Sequence, residues 1–241
     1  MALTYTTWTG QLANLMAVDP TIASTNYDFQ TFLPGCIDYA EQRMYRELDL
    51  LATRVTDTTA YTANTRNVAL PTNNGTFLVI EEANSITPVN ATTSSGTRVP
   101  MQMVSKSFID TVYPSNYTGT GVPQYMTMLT NATLSVAPVP DQAYTVEFIG
   151  TIRPTPLSSN NTTTILTTLL PDAFMAASMV FASGYMRNFG SQGDDPQMAA
   201  SWEGQYTKLI TTANVEELRK KYQSQAWQSN IPTPIATPQR V

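Results

Sequence analysis

DFQTFLPGCIDYAEQRMYRELDLL, residues 28–51, decides the fold. Phe29, Leu33, Cys36, Ile37, Ala40, Met44, Leu48 and Leu51 recur at helical spacing and form one apolar stripe. Pro34 suits the first turn of a helix, where a missing N–H costs nothing. Glu41, Arg43, Arg46, Glu47 and Asp49 fall off the stripe and are expected in solvent. A helix of about 18 residues, roughly 27 Å long, cannot bury such a stripe alone. Its expected partners are the helices at the far end of the chain.

Upstream, Thr6 to Ala17 reads as a short helix with Trp8, Leu12, Leu15 and Met16 on one face, ended by Asp19-Pro20. Downstream of Leu51 the texture changes. Segments 54–60, 67–70, 77–82, 85–90 and 98–104 are short, rich in Val, Ile and Thr, and punctuated by Pro, Gly, Asn and Ser. Residues 92–96 form a hairpin tip. Ser105 to Tyr113 predicts one or two helical turns with Ser105 or Ser107 as cap. Segments 124–130 and 133–137 flank Asn131-Ala132 as a hairpin. From Tyr144 to Ile152 the residues alternate: Tyr144, Val146, Phe148 and Ile152 face one way, and Thr145, Glu147 and Thr151 the other.

A long polar loop, SSNNTTTILTT at 158–168, precedes the return of helical pattern at Leu170-Pro171-Asp172. Phe174, Ala177, Ser178, Phe181 and Tyr185 mark that helix, and Gly190 closes it. Its many small residues, among them Ala176, Ala182, Ser183 and Gly184, let a neighbour approach closely. Asp194-Asp195-Pro196 opens another helix, with Ala199, Trp202, Tyr206, Leu209, Ile210 and Ala213 as its stripe. Glu216 to Tyr222 extends it, and Arg219-Lys220-Lys221 complements its C-terminal dipole.

The expected fold is α+β. Residues 1–52 supply N-terminal helices, and residues 158–222 supply C-terminal helices that pack on them as a bundle. An antiparallel β-sandwich or barrel-like domain, residues 53–157, is inserted between. Residues 223–241, QSQAWQSNIPTPIATPQRV, form an extended proline-rich tail.

The chain has 241 residues, a net charge of -5 and only 13% charged residues, about half the ordinary share. The negative balance disfavours a protein that seeks nucleic acid by bulk attraction, though it permits a channel through which DNA slides. No stretch is long and apolar enough to span a bilayer, and the N-terminus lacks a basic signal-peptide region. The single Cys36 lies on the apolar stripe and reads as a core residue. No histidine is present, which removes Ser-His and Cys-His catalysis and His-ligated metals.

The order of DFxxFLPGCIDYAEQRMYRELD, a Thr-rich β region, VPQYM at 122–126, LSVAPVPDQAYTVEFIGTIRP and LLPDAFMAASMVFASGYMRN resembles the head-to-tail adaptor proteins of tailed bacteriophages. Nearest in style are the podophage adaptors, also called tail tubular protein A or tail accessory factors. The resemblance covers residues 27–222, and Pro123 to Met126, Ala137-Pro138 and Leu170-Pro171-Asp172 are its most specific parts. It implies a non-enzymatic virion protein of the neck, assembled in the host cytoplasm. It further implies a homo-oligomeric ring, usually of twelve copies, under the portal protein. A tail nozzle, tube protein or tail fibre would sit beyond, and double-stranded DNA would pass through the lumen without sequence-specific binding. No cofactor or metal is implied.

The sites expected from the residues are of the same kind. In the tail, Trp227, Ile231 and Ile235 are large apolar residues that a solvated segment has little use for. With Pro232, Pro234 and Pro238 stiffening the backbone, they read as a surface that grips a partner such as the portal. Arg219, Lys220 and Lys221 are either a solvated helix end or part of that partner surface. Arg43, Arg46 and Arg54 are either helix-surface pairs, Arg43 with Glu47 for instance, or contacts to a neighbouring subunit. Asp194-Asp195 reads as a helix cap and Glu216-Glu217 as a solvated face. Asp38 and Glu41 are the one carboxylate pair a hydrolase reading could use. A glycan-binding or fibre-linked tail module is the main alternative to the adaptor.

Overall fold

A computed structural model describes residues 3–18, 27–115, 119–186 and 196–223. Among them the protein is mixed α+β, with six helices and two four-stranded sheets. The helices are α1 (Tyr5–Leu15), α2 (Tyr27–Glu47), α3 (Lys106–Val112), α4 (Ile165–Leu169), α5 (Pro171–Met186) and α6 (Pro196–Gln223). The strands are β1 (Arg54–Ala60), β2 (Asn67–Ala69), β3 (Thr76–Thr87), β4 (Thr97–Pro100), β5 (Gln102–Met103), β6 (Tyr125–Thr130), β7 (Thr133–Ala137) and β8 (Thr145–Arg153).

The stripe of α2 is buried from Phe29 to Leu48 in a core shared with α1, α4, α5 and α6. Distant ends of the chain therefore meet in one apolar cluster. Trp8 of α1 is fully enclosed, and its indole N–H donates to Ser178 Oγ of α5 at 3.1 Å. That bond satisfies the one polar atom an enclosed indole carries. α5 is buried on most of its surface, as its run of small apolar residues requires. Gly184, read as a contact point, instead faces open space.

Several expectations on this element are corrected. Pro34 lies inside α2, not in its first turn, because Phe29 and Leu33 are both buried and draw the helix N-terminal to it. The helix stops at Glu47 and the chain turns through a 3-10 turn, Leu51–Thr53. The register of the stripe then shifts by one, so Leu50 is buried and Leu51 exposed. Glu41 is buried at the core edge rather than solvated.

The strand order is β1-β8-β3-β4 in one sheet and β2-β7-β6-β5 in the other. Neither closes on itself, so no barrel forms among the described residues. Side chains from both sheets share a second core, including Val68, Phe77, Leu134, Val136, Val146 and Phe148. Segment 77–82 and the first three residues of segment 85–90 are one strand, β3, which continues through Ala83 and Asn84 and ends at Thr87. Asn84 stays in the strand because its amide donates to Glu82 and to Glu147, its cross-strand partner. Segment 98–104 divides between the sheets as β4 and β5, and β5 pairs parallel to β6, a departure from a purely antiparallel fold. Along β8 the expected alternation holds except at Glu147. That carboxylate is buried and takes two bonds from Arg98, at 2.8 and 3.0 Å, which hold its pKa below the ordinary carboxylate value. Ser105 caps α3, and β6 and β7 form the expected hairpin.

Candidate assembly interface

The helical core and the β region meet at a waist built by the ends of α2 and α6, the 3-10 turn and the segment after β8. Each meeting places a carboxylate against a backbone N–H. Glu41 of α2 accepts from Leu157 N at 2.9 Å, and Glu217 of α6 accepts from Leu51 N at 3.0 Å. Both N–H groups lie where the chain leaves regular structure and has no ladder partner to offer. Glu217 also takes Lys220 Nζ at 2.7 Å. Its burial corrects the reading of Glu216-Glu217 as a solvated pair; only Glu216 is solvated, pairing with Lys220 at 2.9 Å.

Burial pushes the Glu41 carboxyl up to about 7. The Leu157 N–H works against that rise, the Asp38 charge adds to it and Arg153 opposes it. Asp38 itself is exposed and accepts from Gln42 at 2.6 Å. The two carboxyls thus serve different neighbours, one inward and one in solvent. Among the described residues, no three Asp, Glu or Cys side chains gather as a metal site.

Arg43 is the most heavily engaged of the arginines. Its guanidinium binds Glu203 of α6 at 2.5 and 2.7 Å, Glu47 at 2.9 Å and the Tyr39 hydroxyl at 3.2 Å. It also lies 4.1 Å from the centre of the Tyr206 ring. The expected Arg43–Glu47 pair is therefore present, within a larger network between α2 and α6. Arg46 is exposed and donates to Gln42 at 2.8 Å. Arg54, at the start of β1, pairs with Glu81 at 2.7 Å.

Of the basic triplet, Arg219 is exposed, Lys220 holds Glu216 and Glu217, and Lys221 pairs with Asp49 just after α2. The triplet is thus partly a latch that closes the end of α6 on the waist. Beside it opens a cleft of about 340 Å³ lined by Asp49, Leu51, Arg54, Glu81 and Lys221. On the outer side of α6, Val215, Leu218 and Tyr222 are 46%, 53% and 68% exposed. Their spacing puts them on one face, and periodicity had assigned that last turn no apolar role. A core-directed stripe absorbs the strongest hydrophobic signal in a helix, so a second, outward stripe is easily overlooked. Trp227, Ile231, Pro232, Pro234, Ile235 and Pro238 lie outside the described residues, as do Asp194, Asp195 and Gly190.

None of the described helices is long and apolar enough to cross a membrane. No curated protein matches the chain. The protein-family model described as SU10 adaptor protein matches residues 3–235, nearly the whole sequence. The match agrees with the expected phage adaptor, although the podophage tail tubular protein A type is not the one it names. It continues past the end of α6 and through Trp227, Ile231 and Ile235.

Proposed function

The chain belongs to the SU10 adaptor protein family, and from that premise we propose that it is a structural, non-enzymatic head-to-tail adaptor of a phage virion neck. Copies of the chain form a closed ring under the portal, twelve in the preferred reading, and packaged DNA passes through the lumen. A closed ring of identical subunits needs a heterologous contact, one surface meeting a different one on the next copy. The weakly charged surface suits such burial, because few charges must be stripped of water.

The observation that carries the reading is the family match across the helices, the sheets and the tail together. The outward apolar stripe of α6 supports it, because that helix delivers the tail. In this reading Ile231, Ile235 and the prolines engage the portal. Arg219 borders the same surface, and Arg46 and Arg54 are the arginines best placed to exchange their exposed intrachain partners for a neighbouring subunit. Arg43 is better placed to hold α2 to α6 than to leave it.

Co-expression with the portal from the same genome, followed by electron microscopy, tests the proposal. The expected result is a ring of adaptor subunits stacked on the portal ring, weakened tenfold or more by Ile231→Asp with Ile235→Asp. A monomer with no affinity for assembled portal would overturn it.

A further inference from the structure

Two open faces of the helical body complement each other. The first lies along α2, where Gly35, Asp38, Gln42 and Arg46 line a groove of about 530 Å³ with Phe181 of α5 at its wall. Phe181 is fixed by stacking on Phe32 and Tyr39, at 5.3 and 5.1 Å between ring centres, yet 37% of it stays exposed. A Cβ at Gly35 would touch that ring at 3.5 Å, so the glycine leaves a recess against an aromatic wall. One turn on, Asp38 is exposed and bonded to Gln42 rather than to a cation. Arg43 is already shared by Glu47 and Glu203. With Asp38 included, the carboxylates around the groove outnumber its guanidiniums, Arg43 and Arg46.

The second is the outer face of α6. Tyr206, Ile210 and Ala213 lock the opposite face into the core, so Val215, Leu218 and Tyr222 cannot turn inward. Lys208 and Arg219 are exposed on the same outer side, three turns or about 16.5 Å apart. Neither is in an ion pair among the described residues, since Lys220 takes the neighbouring Glu216. This face is apolar with two unmatched positive charges, and the groove carries a surplus of negative ones.

The order of features agrees as well. Tyr222 and Arg219 are three residues apart, as are Gly35 and Asp38, about 4.5 Å along either helix. With the helices antiparallel, Tyr222 enters the recess over Gly35 while Arg219 meets Asp38. Leu218 then falls beside Tyr39, Val215 beside Gln42, and Lys208 near the Glu47 end of the groove. A parallel arrangement that kept the charge pair would move Tyr222 away from the recess and carry Lys208 off the groove.

We propose that the groove along α2 is filled by the outer face of α6 from a second copy, antiparallel, with Tyr222 against Phe181 and Arg219 paired with Asp38. The inference rests on the ring reading and deepens it. The two surfaces differ and both point away from one shared core, so they cannot meet within a subunit. That is the heterologous contact a closed ring repeats. It assigns Arg219 to the neighbouring subunit and leaves the residues beyond α6 for the portal.

Cross-linking of rings assembled on the co-expressed portal tests the contact. Gln42→Cys and Val215→Cys place thiols that should face each other across it and leave Asp38 and Arg219 intact. Wild type, whose one cysteine is buried, is the blank for a short bismaleimide. The variant carrying both substitutions should give a ladder of covalent multimers, and neither single variant should cross-link. Dimers of Val215→Cys alone mean that α6 meets itself, and adducts with the portal mean that the portal covers it; either result overturns the proposal. Rings visible by electron microscopy in which the double variant stays uncross-linked overturn it too, and leave the ring reading standing. Absence of rings from wild type with portal overturns both.

Charge reversal gives a second readout. Asp38→Arg or Arg219→Asp should lower the yield of rings by roughly fivefold or more, and the two together should recover most of it. Urea midpoints should stay at the wild-type value, because both side chains are exposed. A ring yield that the combined reversal fails to recover, with the midpoint unchanged, overturns the pairing.

Discussion

Arg43 and Glu203 stand 160 residues apart in sequence and meet through two nearly parallel N–H···O bonds of 2.7 and 2.5 Å. The pair ties α2 to α6 at a point where both helices are only partly covered. Glu203 lowers its own pKa by the same contact, since the guanidinium favours the carboxylate form.

The fork geometry gives a prediction. Lysine keeps the charge but cannot hold Glu203 with two bonds while also reaching Glu47 and lying over Tyr206. Arg43→Ala should cost about 1–2 kcal/mol in urea unfolding, and Arg43→Lys at least half of that, after allowing for the solvent that screens Glu203. A double-mutant cycle with Glu203→Ala should give a coupling of about 0.5–1.5 kcal/mol. Equal stability of Arg43→Lys and wild type would show that charge alone suffices.

Glu41 makes a pH prediction of definite sign. Its folded pKa, about 7, exceeds the ordinary value of 4.5, so between those values the folded state binds a proton that the unfolded state has released. The contribution to stability is fully present below the unfolded pKa and is lost as pH rises through 7. Glu41→Gln keeps an oxygen for Leu157 N–H and cannot ionise. It should match wild type at pH 4 and exceed it at pH 8, by on the order of 1–3 kcal/mol. Thermal unfolding across that range reads the effect. A wild-type curve parallel to that of Glu41→Gln would mean that the carboxyl titrates as if in water.

Glu217 separates acceptor from charge. Glu217→Gln retains the oxygen that receives Leu51 N–H and should stay within about 1 kcal/mol of wild type, because the Lys220 pair is partly solvated. Glu217→Ala strands the amide and should cost about 1–3 kcal/mol. Hydrogen exchange at the Leu51 amide should quicken tenfold or more in the alanine variant only. Equal exchange in both variants would show that the N–H finds water instead.

The elements themselves were legible because their signals are local. The stripe from Phe29 to Leu48, the Ser105 cap and the β6–β7 hairpin each follow from residues within one or two turns of one another. What escaped was set by distant partners. Glu41 and Glu217 look like surface carboxylates until Leu157 and Leu51 supply N–H groups from elsewhere in the chain. Asn84 looks like a strand breaker until Glu147 of β8 binds it. The outward stripe of α6 escaped for another reason: three exposed apolar residues look incidental unless the helix's other face is already known to be filled.

Gly150 offers a test of the sheet that leaves the waist alone. It sits in β8 between β1 and β3, opposite Val55 on one side and Ile80 on the other. A Cβ there would lie 2.1 Å from the carbonyl oxygen of Val79, far inside contact distance. The obstacle is backbone, so no rotamer change relieves it. The register of β3 is also irregular on both sides of this point, between Phe77 and Val79 and between Ile80 and Glu82. Only a residue without a side chain lets the bulged strand approach so closely. Gly150→Ala should therefore force β3 and β8 apart and cost about 2–4 kcal/mol. Gly184→Ala, on a helix face with nothing within 4 Å, should instead stabilise by roughly 0.5–1 kcal/mol through helix propensity. Measured side by side in urea, two substitutions of the same chemistry should shift the midpoint in opposite directions. A tolerated alanine at residue 150 would show that β3 can move away from β8 without loss.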